Sequence, residues 1–226
     1  MNRVTLIAFI LVILGIGGGV SWYLIDTSRQ VLGVPAPVAS TTPEVNESLA
    51  IYTSGPYGFS IFYPEASDVS YVFDTSYHLG SAWRVHALPE AVGSPVLSIV
   101  PYHVLSEDSY PRYYNAMVRI GASADPAEVA RCEKPVQAQG ESQLQSVVIN
   151  GHSWSVFSFQ DAGMMQYAQG VSYRTLFEGK CIAMEKVRTG SNYQEGPASP
   201  KDVSQDTLDA EYAKLEAIVQ AFSFAR

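Results

Sequence analysis

From Val4 to Ile25 the chain reads VTLIAFILVILGIGGGVSWYLI, 22 residues without a charge, preceded by a single Arg3. A run of that length crosses the hydrocarbon of a bilayer as one helix. Trp22 and Tyr23 close it with aromatic rings, which favour the headgroup zone. Arg3 and the amino terminus mark the near side, so the rest of the chain is expected outside the cytoplasm. The alternative is a cleaved signal peptide with an apolar core at Leu6–Ile16 and cleavage near Gly17–Ser21. The run exceeds the roughly 7–15 residues of a signal core, which favours an uncleaved anchor over residues 1–25. It contains no cysteine for a lipoprotein-type anchor and no acidic residue of the kind a pilin segment carries. Gly17, Gly18 and Gly19 would permit close helix approach, or simply be small residues near a helix end.

Residues 26–46 carry Pro35, Pro37 and Pro43 among Ala, Ser and Thr. Such a stretch cannot bury a core and is expected to be a mobile linker. A domain of ordinary size then spans residues 47–226. Beyond the anchor lie 22 acidic residues and, with Arg3 set aside, 13 of the 14 basic ones, a formal charge of −9. That balance argues against nucleic acid and against anionic headgroups as partners. Cys132 and Cys181 are the only cysteines. Outside the cytoplasm two cysteines pair, and these lack the CxxC spacing of a redox site. The loop they close would be worth about 3–5 kcal/mol in the chain-entropy model.

The domain alternates short strands with a few helices. Ala50–Ser54 and Tyr57–Tyr63 flank the turn dipeptide Gly55-Pro56, with Tyr57, Phe59, Ile61 and Tyr63 on one face. Val69–Phe73, Ala82–Leu88 and Val96–His103 read as further strands. Ser109–Ile120 reads as a helix with Pro111 in its first turn. Asp125-Pro126-Ala127-Glu128 has the pattern of a capped helix start, ending near Cys132. Gln145–Ile149 and His152–Gln160 flank Asn150-Gly151, the dipeptide of a tight hairpin. Val171–Phe177 and Cys181–Val187 flank Glu178-Gly179-Lys180, a second hairpin, and Thr189–Lys201 reads as a loop. A last helix, capped by Asp206, aligns Leu208, Tyr212, Leu215, Ile218, Val219 and Phe222, with Glu211 and Lys214 paired outside. Phe222-Ser223-Phe224 can add a short strand. The expected class is α+β, a mostly antiparallel central sheet flanked by helices.

The segment Tyr57-Gly58-Phe59-Ser60-Ile61-Phe62-Tyr63-Pro64, with the terminal helix leading into Ser223-Phe224, resembles the PsbP family. That family comprises the extrinsic PsbP protein of photosystem II and its bacterial extracytoplasmic relatives. The resemblance implies a central antiparallel sheet between helices, preceded here by the transmembrane helix. It also implies a binding or assembly module more than an enzyme. The matching motifs are structural, so no functional residue carries over, and the cysteine pair is not part of them.

Chemistry-bearing motifs are absent. His78, His86, His103 and His152 form neither HExxH nor HxH, and no metal ligand set or cofactor is expected. There is no GxSxG, no phosphate loop and no GxGxxG. Glu107-Asp108 and Asp202/Asp206 lack the ladder of a calcium loop. Asn46-Glu47-Ser48 fits the glycosylation pattern. Tyrosine is the compositional oddity, at 14 residues. Tyr110, Arg112, Tyr113 and Tyr114 form the candidate binding cluster, since Tyr with Arg is enriched at binding hot spots and Tyr also stacks on sugar rings. The competing reading packs Tyr110, Tyr113 and Tyr114 onto the sheet. The loop Asp161–Gly170 is the second candidate. The function expected is a membrane-anchored extracytoplasmic non-catalytic module binding an envelope protein or a cell-wall component. The rivals are an envelope hydrolase with a histidine/carboxylate site and a structural subunit of an envelope assembly.

Overall fold

A computed structural model of the chain describes residues 48–75, 78–87, 90–102, 114–191 and 204–225. The expected anchor, the linker, His103, Tyr110, Arg112 and Tyr113 lie outside them. Among the described residues no helix is long and apolar enough to cross a membrane.

Eleven strands and two α-helices are described. Strands β1 (Leu49–Ser54), β2 (Phe59–Pro64) and β11 (Phe222–Phe224) form a small sheet in the order β1-β2-β11. The large sheet runs β3 (Asp68–Ser70), β4 (Ser94–Tyr102), β5 (Tyr114–Ser123), β10 (Lys180–Ser191), β9 (Gln166–Phe177), β8 (His152–Gly163) and β6 (Ser142–Gln143). Strand β7 (Val147–Ile149) also pairs with β8. Every one of these pairings is antiparallel. The helices are α1 (Pro126–Arg131) and α2 (Gln205–Gln220).

The hairpin turns form where their residues permit positive φ. Asn150 and Gly151 sit at φ 47° and 85°, and Glu178 and Gly179 at 47° and 71°. Both angles positive is the type I′ signature that matches strand twist. The Asn150 amide also donates to the carbonyls of Gln220 and Phe222, at 3.0 and 2.6 Å, tying this turn to the end of α2.

One face of the large sheet is apolar. Leu97, Ile120, Met184, Tyr173 and Val156 stand side by side across five strands. Leu208, Leu215, Ile218 and Val219 of α2 pack with them in one core, joined by Phe59, Ile61, Phe222 and Phe224 of the small sheet. The helix begins one turn fragment earlier than the expected Asp206 cap. Ser204 accepts from Thr207 N–H at 3.2 Å, and Asp206 lies inside the first turn, where its charge suits the helix dipole. The expected Glu211–Lys214 pair forms, at 2.7 Å.

The opposite face is ionic. Ser98, Arg119, Glu185, Ser172 and Phe157 form the facing row. Arg119 Nη2 donates to Glu185 Oε2 at 3.0 Å, and Glu185 Oε1 accepts from Val85 N–H at 2.7 Å and Ser172 Oγ at 3.3 Å. Arg174, one row along, donates to Glu141 and to Ser172 Oγ. Arg84 reaches down from the 78–87 segment to Glu128 of α1 at 3.3 Å. Arg84, Arg119, Arg174, Glu128, Glu141 and Glu185 are each at most 5% exposed. Three cations meet three anions, so burial is tolerable only while the set stays intact. The Cys132–Cys181 disulfide forms, with Cα atoms 5.6 Å apart, and pins the end of α1 to β10 beside this layer.

Two further local expectations are corrected. Residues 114–120 of the expected Ser109–Ile120 helix are strand β5. Almost every residue of β5 is buried, because it lies mid-sheet with both faces covered, and so its period-2 signal is lost. The described part of Ala82–Leu88 is not a strand: Val85 N–H is taken by a carboxylate instead of a neighbouring strand, and His86 adopts φ 52°. The expected helix start, with Asp125 as cap and Pro126 opening the helix, forms. Asp125 caps Ala127 and Glu128 N–H, but the Glu128 carboxylate turns inward to Arg84 and Arg131. Among the described residues, the sheet is therefore flanked by a long helix on one side only; a segment and the six-residue α1 cover the other.

Glu185→Ala should cost about 3–5 kcal/mol in urea unfolding, since it strands the buried Arg119 cation. The double replacement Arg119→Met with Glu185→Leu should cost clearly less. Burial holds His86 below its ordinary 6.5, outweighing the nearby Glu141 and Glu185 carboxylates. The unfolded chain then takes up the proton first, so this contribution to stability is complete above about 6.5 and is lost as pH falls from there to the folded value. Unfolding curves between pH 7.5 and 5 should show this slope, and His86→Gln should flatten it.

Candidate binding groove

The tyrosine expected on a helix lies instead on a strand. Tyr114 opens β5, is buried, and donates its hydroxyl to the Leu208 carbonyl at 2.9 Å. Burial, opposed by the nearby Arg188 guanidinium, pushes its phenol up to about 12. Of the four clustered residues it alone can be placed, and it packs α2 onto the sheet.

The second expected locus, Asp161–Gly170, is not a loop. Strands β8 and β9 pair without a break to Gly163 opposite Gln166, and Met164-Met165 make the turn at φ 48° and 65°. This hairpin supplies the strongest candidate site. On the α2 side of the sheet, Gln160, Gln169, Arg188 and Ala116 form one cross-strand row. Ala162, Tyr167, Gly190 and Tyr114 form the next. Alternation along each strand brings all eight to the same face.

Gly190 is the residue this platform needs. A Cβ there would meet the Tyr167 ring at 2.5–2.9 Å, so its absence lets the ring lie across β10. Two adjoining hollows, of about 200 and 250 Å³, share Gln160, Gln169 and Arg188. Phe159, Gly170 and Tyr212 line the first; Ala162, Tyr167 and Gln205 line the second. Helix α2 forms one bank. Tyr212 donates its hydroxyl to the Lys186 carbonyl at 3.1 Å, and the Lys186 and Arg188 cations lie 5.0 and 5.1 Å from its ring.

Both cations are answered within the chain. Arg188 pairs with Asp209, and Lys186 Nζ donates to Glu216 at 2.6 Å. With its amide oxygen turned toward Arg188, Gln169 accepts from the guanidinium Nε and Nη2. Burial would lower Arg188, but the Asp209 hydrogen bond outweighs it and the guanidinium is raised; Arg188 in turn holds the Asp209 carboxyl below the usual range. Tyr167, Tyr173 and Tyr212 are raised by burial, so all three are phenols, not phenolates, at neutral pH.

Arg188 and Gln205 were not singled out from the sequence, and Tyr212 was read only as part of the apolar face of the last helix. Continuing the alternation of Cys181–Val187 by a few residues would have placed Arg188 beside Lys186 on the helix side. Nothing in the local sequence pairs Asp209 or Tyr212 with them.

The described histidines do not assemble a catalytic centre. His78 Nδ1 lies 3.3 Å from Asp161 and its Nε2 lies 3.0 Å from the Gly163 carbonyl, so both nitrogens face acceptors and the ring is placed to donate. His86 is edge-on to Phe159 at 5.6 Å beside the ionic layer. His152 packs edge-on against Phe224 at 4.7 Å, at the other end of β8. Among the described residues, no group of three or more His, Cys, Asp or Glu side chains could hold a metal ion. A further hollow of about 290 Å³, between β2 and α2, is lined by Leu49, Phe62, Ile218 and similar apolar groups. It offers few polar atoms to fix a ligand's orientation, whereas the groove offers amides, phenols and a guanidinium.

Gly190→Ala should swing the Tyr167 ring off β10 and cost about 1–3 kcal/mol. Loss of Tyr167 ring-to-Gly190 contacts in NMR, with the strand pairing retained, is the expected reading.

No family model and no curated protein matches the sequence. Among solved structures, the chain is similar to the solution structure of cyanobacterial PsbP (CyanoP) from Synechocystis sp. PCC 6803. The two are 12% identical, the match covers 84% of this chain and 99% of that one, and the TM-score is 0.38. That protein is of the family that the Tyr57–Pro64 segment resembles.

Proposed function

We propose that the chain is a non-catalytic binding module of the cell envelope. In this reading residues 1–25 anchor it in the membrane as a single-pass helix, 26–46 are the linker, and 47–226 form the extracytoplasmic domain. A linker of that length lets a domain reach tens of ångströms from the bilayer, about 5–6 Å × √n for a flexible chain. The partner is an envelope protein or a cell-wall component, engaged through the groove between α2 and the β8–β9 hairpin.

One observation carries this reading: two cross-strand rows converge amides, an aromatic ring and a guanidinium on one concave face. Concave sites with a few convergent polar groups are where ligands bind. The same groups suit recognition better than turnover. Arg188 is committed to Asp209 and Gln169, the phenols are raised, and none of them is poised to exchange a proton near neutrality.

The test is a photoreactive residue at Gln160, which is exposed, in the full chain in its native membrane. Illumination should produce a reproducible adduct with one envelope protein or wall fragment. The same residue placed at the exposed Glu133, in the turn after α1, should not. Identical adducts at both positions, or none at Gln160, would count against a binding role for the groove.

A further inference from the structure

The groove's electrostatics narrow what it can hold. We propose that its ligand is a neutral glycan chain, an inference that rests on the binding-module reading above.

Charge comes first. Among the described residues, Arg188 and Lys186 are the cations beside the groove, and each is neutralised by a carboxylate of α2, Asp209 and Glu216. An anionic ligand would have to compete with those built-in partners, and a cationic ligand would meet a guanidinium. A neutral ligand meets neither cost. The polar groups left over are those that hydroxyls satisfy. An amide offers an acceptor oxygen and two N–H donors, and a phenol both donates and accepts. Gln169, with its oxygen turned to Arg188, holds the guanidinium in place on the groove floor. Gln160 and Gln205 are exposed and line the groove; the Gln205 NH2 donates to Asp209 at 3.1 Å, while its carbonyl end can accept. A sugar hydroxyl both donates and accepts, which matches such a lining better than an apolar or a charged ligand does.

Shape comes second. The outer end of the Tyr167 ring sits over Gly190, and the residue lines the 250 Å³ hollow, so an aromatic surface is available to anything lying there. The C–H face of a pyranose packs on such a ring. The second hollow, of about 200 Å³, adjoins it through Gln160, Gln169 and Arg188. Two linked hollows of a size to seat one pyranose each describe a site for consecutive residues of a chain, not for a lone monosaccharide. Arg188, held rigid by Asp209 and Gln169, stands at the junction between them.

The test uses the full chain in a zwitterionic detergent, because glycosidic detergents would compete. Chitotetraose, cellotetraose and maltotetraose are titrated by calorimetry and by saturation-transfer NMR, with oligogalacturonate as the anionic comparison. At least one neutral tetrasaccharide should bind, and oligogalacturonate should bind more weakly. Tyr167→Ala and Gln169→Ala should each weaken binding by about tenfold or more, while Tyr167→Phe, which keeps the ring, should retain it. Gln160→Ala, at an exposed position, gives the same reading should a buried replacement disturb folding. Failure of all three neutral probes, or binding indifferent to Tyr167→Ala and Gln160→Ala, overturns the glycan assignment. If the Gln160 cross-link still captures a protein partner, only the ligand class falls. If neither glycan nor partner is found, the binding reading falls with it.

Discussion

The Arg119–Glu185 pair is the contact on which the rest of this domain hangs. It joins neighbouring central strands at 3.0 Å, and its carboxylate also takes Val85 N–H from the segment that covers the sheet. Apart from a single bridge at Leu79 that segment is irregular, so at Val85 a side chain replaces the ladder. Trp83 and Arg84 sit in a notch cut by glycine: a Cβ at Gly121 would come within 1.7 Å of the Trp83 carbonyl oxygen, and one at Gly93 within 2.3 Å of its indole. The pair, the notch and the Cys132–Cys181 disulfide together hold a cover that apolar burial alone would not specify. Such a layer is costly in desolvation, and its use here fixes one arrangement of a segment with little regular structure.

With the ionic face closed, the other face is free to carry the groove. Strands β8, β9 and β10 are 12 residues each, about 40 Å long. Helix α2 has 16 residues, about 24 Å. The sheet therefore outreaches the helix that covers it. Helix α2 lies over β5 and β10, where its Leu208 meets Tyr114 and its Asp209 pairs with Arg188; beside it, on β9 and β8, the same face carries Tyr167, Gln169 and Gln160. The groove is the strip of sheet beside the helix, walled by the first turns of α2 and floored by the β8–β9 hairpin.

Legibility differed by element for identifiable causes. The Asn150-Gly151 and Glu178-Gly179 turns were readable because positive φ restricts residue choice. Helix α2 was readable because one face alone is buried, so its period survives. Strand β5 was misread because it is covered on both faces, so its apolar residues do not alternate with polar ones. The β8–β9 hairpin was missed because Met164-Met165 turn without glycine or asparagine. Of the site, Tyr114 and the 161–170 region were in view, and Arg188 was not, since its meaning comes from Asp209, 21 residues away in the chain.

Composition, apolar periodicity and turn chemistry, which act over a few residues, sufficed to establish an α+β domain with a disulfide and the locations of most hairpins. They also support the expectation of an anchored, acidic, extracytoplasmic chain. What tertiary structure alone decided was pairing at a distance: which arginine meets which glutamate, which face each long strand turns to the helix, and how far the sheet extends beyond it. Those depend on register, where one residue of slip exchanges the ionic face for the apolar one, and register is set by contacts between strands, not within them.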